Sequence, residues 1–174
     1  MTPLTCACGQ SRLFLTGPPI LAADCCCESC AEAAARLQAL PGVPQITNAV
    51  GATPFVLYRK DRVVFELPRP LRSFRLSGGA KTRRLLAPCC NTPIGLEFSG
   101  GHWISLYSSL WPPGTAPKAR LRTMTSDWAD RASLPQDLPN AGSQSPGFMW
   151  ALLKAWIAMG FRAPKLATEG EVDA

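Results

Sequence analysis

Four of the chain's eight cysteines stand within six positions, in Asp24-Cys25-Cys26-Cys27-Glu28-Ser29-Cys30. Neighbouring cysteines do not easily meet disulfide geometry, so a cross-linked framework is a poor reading of this stretch. The spacing Cys-x-Cys-x-x-Cys at Cys25, Cys27 and Cys30 instead puts three thiols on a turn that runs into a helix, where they can converge on one ion. Thiolates favour zinc, held tetrahedrally at about 2.3 Å, and three protein ligands leave a fourth position for water or a substrate thiol. The positive end of a helix dipole helps to keep such thiols ionised. Cys26 falls between the ligand positions and reads as a packing residue or a free thiol.

The remaining cysteines are Cys6 and Cys8 in Thr-Cys-Ala-Cys-Gly-Gln, and Cys89 and Cys90 in Pro-Cys-Cys-Asn-Thr-Pro. Four thiols are the number that a closed structural zinc site needs. Gly9 would let the backbone turn tightly behind the first pair, and the second pair would come from a distant strand. The chain therefore offers zinc up to two sites. An iron–sulfur cluster and a set of buried, metal-free thiols are the other readings of the same residues.

The elements that must position these thiols are mostly short strands. Seventeen prolines disfavour a helical bundle. Residues 55–67 read as two apolar runs around Arg59, Lys60 and Asp61, hence a hairpin. Residues 71–87 alternate, turn at Gly78-Gly79 and resume at Leu85-Leu86. Residues 95–107 repeat the device around Gly100-Gly101. One early helix is expected over Ala31–Leu40, ended by Pro41-Gly42. Residues 111–140, rich in proline, small and charged residues, read as a wrapping segment or linker. A second helix follows, with Ser145 as N-cap, Pro146 at its first position and Gly160 at its stop. Its apolar residues cover more than half of its circumference, which fits packing on the domain, a homodimer contact or a membrane surface. The Glu-Gly-Glu-Val-Asp-Ala tail is expected to be disordered.

At 174 residues the chain is expected to be a single domain, with residues 1–110 as the zinc-binding core and 111–174 as a wrapping segment and helix. The N-terminus shows no secretory signal, and the apolar stretch near residue 150 is too short for a bilayer span of about 20 residues. A cytoplasmic chain keeps its thiols reduced, which again turns the cysteines toward metal or redox work. The net charge of +6 is modest. The five tryptophans do not interleave with Arg and Lys as a nucleic-acid stacking platform would, so nucleic acid is not the expected partner. His102, the single histidine, lies after a Gly-Gly turn and is read as structural, with a zinc-ligand or site role as the alternative.

Taken in order, Cys-x-Cys-Gly, then Cys-x-Cys-x-x-Cys before a helix, then a late cysteine pair followed by Thr-Pro resemble the glutathione-dependent formaldehyde-activating enzyme family. The domain of centromere protein V belongs to the same superfamily, and Cys-Cys-Asn-Thr-Pro-Ile-Gly is closer to an uncharacterised bacterial branch. The resemblance spans roughly residues 4 to 110. It implies antiparallel sheets leaning together in a β-tent, which with the two helices read above gives an expected fold that is mainly β with a few helices including a C-terminal one. It further implies a structural zinc at Cys6, Cys8 and the late cysteines, and a catalytic zinc at Cys25, Cys27 and Cys30 that glutathione can engage. The implied reaction, of the carbon–sulfur lyase class, condenses formaldehyde with the glutathione thiol to S-hydroxymethylglutathione.

The family usually carries Cys-x-x-Cys-Gly-Thr where this chain reads Ala87-Pro88-Cys89-Cys90-Asn91-Thr92. Cys90 then aligns with the second family cysteine, Ala87 with the first, and Cys89 offers a thiol from the next position. Asn91 replaces glycine, which asparagine can do where the backbone is left-handed. A three-thiolate zinc site is electron-rich and suits holding a thiol beside an aldehyde better than hydrolysis. The basic stretch of Arg69, Arg72, Arg75, Lys81, Arg83 and Arg84 is a candidate for the two carboxylates of glutathione. The alternatives are a zinc-bearing binding module, carrying a thiol or contacting nucleic acid without catalysis, and a zinc-stabilised fold whose function lies in its C-terminal extension.

Overall fold

The computed structural model describes residues 1–174 and is mainly β, with two helices. In chain order the strands are β1 (Thr2–Thr5), β2 (Arg12–Leu15) and β3 (Leu21–Cys25), followed by helix α1 (Glu28–Gln38). Next come β4 (Thr53–Arg59), β5 (Val63–Glu66), β6 (Leu71–Phe74), β7 (Thr82–Leu86), β8 (Pro93–Phe98) and β9 (Trp103–Tyr107). The C-terminal part adds β10 (Arg122–Thr123), helix α2 (Pro146–Ala158) and β11 (Thr168–Glu171). They form a three-stranded sheet, β1-β2-β5, and an eight-stranded sheet, β10-β3-β4-β9-β8-β7-β6-β11.

Alternation along the strands sends side chains to two separate apolar layers. Val56 and Tyr58 of β4 join Leu4, Leu13, Leu15, Leu85, Ile94 and Ile104 in the layer that includes the small sheet. Phe55 and Leu57 of the same strand face the other way, with Leu86, Leu96 and Tyr107, and meet Ala33, Ala34 and Leu37 of α1 and Phe148 and Leu152 of α2. The large sheet is thus covered by a small sheet on one face and by helices on the other. Gly95 lets β8 and β9 close up, since a Cβ there would stand 2.9 Å from both Ile104 Cγ1 and Ser105 O.

The hairpins expected around Gly78-Gly79 and Gly100-Gly101 are present as β6–β7 and β8–β9. The one expected over residues 55–67 is not. β4 pairs with β3 and β9, whereas β5 pairs with β2 in the other sheet, because a 3-10 turn at Lys60–Arg62 redirects the chain between layers. Helix α1 begins at Glu28, three residues before the alanine run, so Cys30 lies inside its first turn. Helix α2 forms as expected, with Ser145 Oγ accepting from the Phe148 N–H and Pro146 in its first turn.

Residues 111–140 wrap the sheet edge. β10 pairs in parallel with β3, and the buried Arg122 donates to Pro135 O (2.9 Å) and pairs with Asp137 (2.9 Å). The tail is ordered, contrary to expectation: β11 adds in parallel to β6, and Val172 is 5% exposed, giving the segment an apolar anchor among its charges. The two edges are therefore parallel additions to an antiparallel sheet. Along α2, Phe148, Leu152 and Ala155 are buried, while Met149, Trp150 and Ile157 are exposed. No helix is long and apolar enough to cross a membrane.

Candidate metal centres

The four dispersed cysteines meet at one end of the small-sheet layer. Cys6 and Cys8 lie in the turn between β1 and β2, closed by Gly9 N–H donating to Cys6 O (2.9 Å), with Gly9 at φ +76. Cys89 and Cys90 lie in the loop between β7 and β8, where Asn91 N–H donates to Ala87 O (3.1 Å) and Ala87 N–H to Thr92 O (2.9 Å). Asn91 sits at φ +58, the left-handed conformation for which glycine would be the ordinary choice. Its Oδ1 also accepts from Arg72 Nη1 at 2.9 Å, which gives the asparagine a task glycine could not perform. Thr92 Oγ1 ties the two loops together by accepting from Ala7 N–H at 3.0 Å.

Within this cluster Cys6 Sγ is 3.5 Å from both Cys8 Sγ and Cys89 Sγ, and Cys89 Sγ is 3.8 Å from Cys90 Sγ. All four sulfurs lie within 4.8 Å of one another. Four thiolates at about 2.3 Å from a central zinc would sit roughly 3.8 Å apart, so the donor set and its spacing fit a closed tetrahedral ion. Cys89 stands beside Cys90 in the group despite its shifted place in the loop. Around the rim, Ser11 N–H donates to Cys6 Sγ (3.3 Å), and Cys90 Sγ and Thr92 Oγ1 are 3.0 Å apart. Burial raises the Cys90 thiol, but hydrogen bonds with Thr92 and Cys8 together outweigh this and bring it down to about 6. Burial pushes Cys89 up to about 12, against a lowering contact from Ser11.

Cys25, Cys27 and Cys30 gather on the helix face of the large sheet, their sulfurs within 4.8 Å of one another. Cys25 ends β3. Cys27 is the N-cap of α1 and Cys30 is the third residue of that helix. The Cys27 carbonyl accepts from Cys30 N–H (3.0 Å) and Ala31 N–H (3.1 Å), and this turn swings the Cys30 thiol back toward Cys27. Cys27 makes no capping bond with its own side chain, which leaves the sulfur to Cys25 Sγ (3.4 Å) and Ser29 Oγ (3.3 Å). Cys26 stays outside the group, 2% exposed, its N–H on Thr123 O.

These thiols are unequal. Cys27 is held far down, to about 2, first by the hydrogen bond from Cys25 and then by that from Cys30. Cys25 is pushed up by donating to Cys27. Cys30, lowered by Cys25 but raised by Cys27 and by burial, stands at about 12. Cys27 is thus the most acidic of the three and accepts from the other two, and a divalent cation would take the place of thiol protons in the group. Cys30 is buried, Cys25 and Cys27 are partly exposed, and the cluster includes no fourth His, Cys, Asp or Glu. Beside Cys25 lies a small apolar cavity of about 60 Å³, lined by Phe55, Leu57, Phe98, Trp103 and Phe148 among others.

Three of the six residues of the basic stretch are engaged elsewhere. Arg83 binds Glu97 (2.6 Å), Thr168 Oγ1 and Leu166 O, Arg72 binds Asn91, and Arg75 faces Glu171 at 3.7 Å. Arg84 reaches the helix start that carries two of the triad's cysteines, donating from Nη2 to Ser29 O at 2.8 Å. His102 is on neither cluster. Its Nε2 bonds Leu152 O (2.9 Å), and its ring stacks on Trp156 with centroids 5.7 Å apart, so it fastens α2 to the sheet. No protein-family model matches the chain, and no curated protein matches it in sequence.

Proposed function

We propose that this chain is a zinc protein of the β-tent kind, with a closed structural centre and an open reactive one that joins a thiol to an aldehyde. The observation that carries the reading is the triad of Cys25, Cys27 and Cys30. It converges as a metal site would, has no fourth protein ligand, and lies at a partly exposed surface. The other cluster completes four sulfurs and would be structural.

In this reading Cys25, Cys27 and Cys30 hold a zinc ion, which supplies a Lewis-acidic position where a thiol loses its proton near neutral pH. Cys30 anchors the group in the core, and α1 sets the angle between Cys27 and Cys30. Ser29, exposed and 3.3 Å from Cys27 Sγ, is the polar side chain at the mouth. The thiol sulfur forms a bond to the aldehyde carbon, the carbonyl π pair moves to oxygen, and the proton given up by the thiol ends on that oxygen. Nothing is oxidised or reduced. The small cavity beside Cys25 favours a short aldehyde such as formaldehyde. Glutathione is the thiol in this proposal, and eight free cysteines fit the reducing cytoplasm where it abounds.

A binding module without catalysis is the second reading. It has in its favour a hollow of about 590 Å³ lined by Lys60, Arg75, Lys81, Arg83 and Lys165. Glu97 already pairs with Lys60 and Arg83 there, which weakens that hollow's pull on a polyanion.

The test is exchange NMR of formaldehyde with its glutathione adduct, on protein whose zinc content is known. Wild type should accelerate the exchange and Cys27→Ser should not. Equal exchange with and without protein would end the enzyme reading.

A further inference from the structure

The side chain of Arg84 is 1% exposed, and it leads the fully buried large side chains of the molecule. A guanidinium keeps its charge at any working pH, so burying one without an anion is costly. Yet Arg84 takes part in none of the six ion pairs. Its Nη2 has only the Ser29 carbonyl, and its Nη1 has no hydrogen-bond partner at all. Its bond to Ser29 O, at 2.8 Å, puts the charge under the first turn of α1, where Cys30 is likewise buried. The buried Tyr107 hydroxyl stays neutral, its ionisation disfavoured by burial. No carboxylate of the chain pairs with Arg84, and the carbonyl it does bond belongs to Ser29, which stands between Cys27 and Cys30 in the first turn of α1.

We propose that Arg84 is the built-in charge partner of the Cys25–Cys27–Cys30 centre, a positioning residue that makes a tri-thiolate metal site stable in the core and open to a further anionic ligand. This rests on the reading of the triad as a metal centre. Three thiolates on a divalent ion carry a net charge of about −1, and an incoming thiolate makes it about −2. One buried guanidinium returns the first state to neutrality and the second to a single charge. It also fixes the geometry, since its bond to Ser29 O holds the first turn of α1, from which Cys30 projects. The ligand class that this selects is an anion, a thiolate above all, in preference to a neutral donor.

The experiment measures zinc per chain by native mass spectrometry and zinc affinity by competition with a chromophoric chelator. Wild type, Cys27→Ser, Arg84→Lys, Arg84→Gln and Arg84→Met are compared, with Cys27→Ser marking what loss of the triad's ion looks like. Arg84→Gln and Arg84→Met should bind that ion about tenfold to a hundredfold more weakly, as removal of a group supporting metal ligands generally does. Arg84→Lys should stay within about threefold of wild type, because it keeps the charge. The four-cysteine ion should be unaffected in all of them and reports that the fold is intact. Should Arg84→Met not fold, Arg84→Gln decides. Neutral variants that bind the triad's ion as wild type does would overturn the proposal, and so would an equal loss in Arg84→Lys, which would reduce Arg84 to a tether for Ser29. Wild type and Cys27→Ser holding the same amount of zinc would instead remove the metal centre itself, and this proposal with it.

Discussion

The two cysteine clusters lie on opposite sides of one sheet and are assembled from opposite kinds of contact. On the small-sheet side, Cys6 meets Cys89 across 83 positions of chain, and the cluster joins two loops that share no ladder. On the helix side, Cys25, Cys27 and Cys30 come from one strand end and one helix start, next to each other in sequence. The first arrangement closes a long loop and completes four sulfurs. The second closes nothing, stops at three, and has a buried positive charge behind it. Long-range convergence is what a staple needs, whereas local convergence on a pre-formed turn leaves an open coordination position. On the reading proposed above, the fold puts stability on one face and chemistry on the other.

The largest effect should come from breaking the staple. Cys6→Ser should destabilise the chain by more than about 4 kcal/mol, since the free energy of a structural metal site is folding free energy. Chemical denaturation with and without a strong chelator checks this: the chelator should lower wild type toward the variant and leave the variant unchanged. Cys27→Ser, on the other face, should lose one zinc per chain and with it that ion's share of the stability, but less than Cys6→Ser does, because ligands adjacent in sequence close no long loop. Equal destabilisation by both variants would erase the division between the faces.

A smaller perturbation sharpens the same contrast. Thr92→Val removes the acceptor of the Ala7 N–H and the hydroxyl partner of Cys90, with little change of shape. Ala7 is exposed and water can take over its N–H, so the loss should be about 1 kcal/mol, the net worth of an ordinary hydrogen bond. The loss should appear in the chelator-sensitive part of the stability and not in the triad's zinc affinity.

The triad was legible in the sequence because its geometry is local: Cys-x-Cys-x-x-Cys before an alanine-rich run dictates where three sulfurs go. That Cys6 and Cys8 would meet Cys89 and Cys90 was expected from the count of thiols and from the family resemblance, not from any local pattern. The failures were non-local. Residues 55–67 look like a hairpin, yet β4 and β5 belong to different sheets, and no local signal tells a hairpin turn from a turn that changes layers. The polar tail looks disordered, yet a single Val172 and an open strand edge order it. Arg84 looked like one cation among six, and only burial distinguishes it from Arg83.

The smallest prediction concerns how the helix face is fastened without a metal. There His102 does the clipping, donating from Nε2 to Leu152 O of α2 and stacking on Trp156. Burial lowers its pKa below the ordinary 6.5, the Leu152 carbonyl pulls the other way, and the charges of Lys60 and Arg59 add to the lowering. The unfolded chain therefore binds a proton from pH 6.5 downward while the folded chain resists it, so stability falls as pH falls through this window and levels off below the folded pKa. The loss should be no more than about 1.4 kcal/mol for each unit by which the pKa is lowered. Trp156 reports it directly, because an imidazolium stacked on its ring would quench its emission. Wild type should lose fluorescence on acidification below pH 6.5, and His102→Gln and Trp156→Phe should each flatten that step. A step that survives in His102→Gln would place the acid sensitivity in the cysteine clusters instead, and the helix face would then depend on its triad for stability after all.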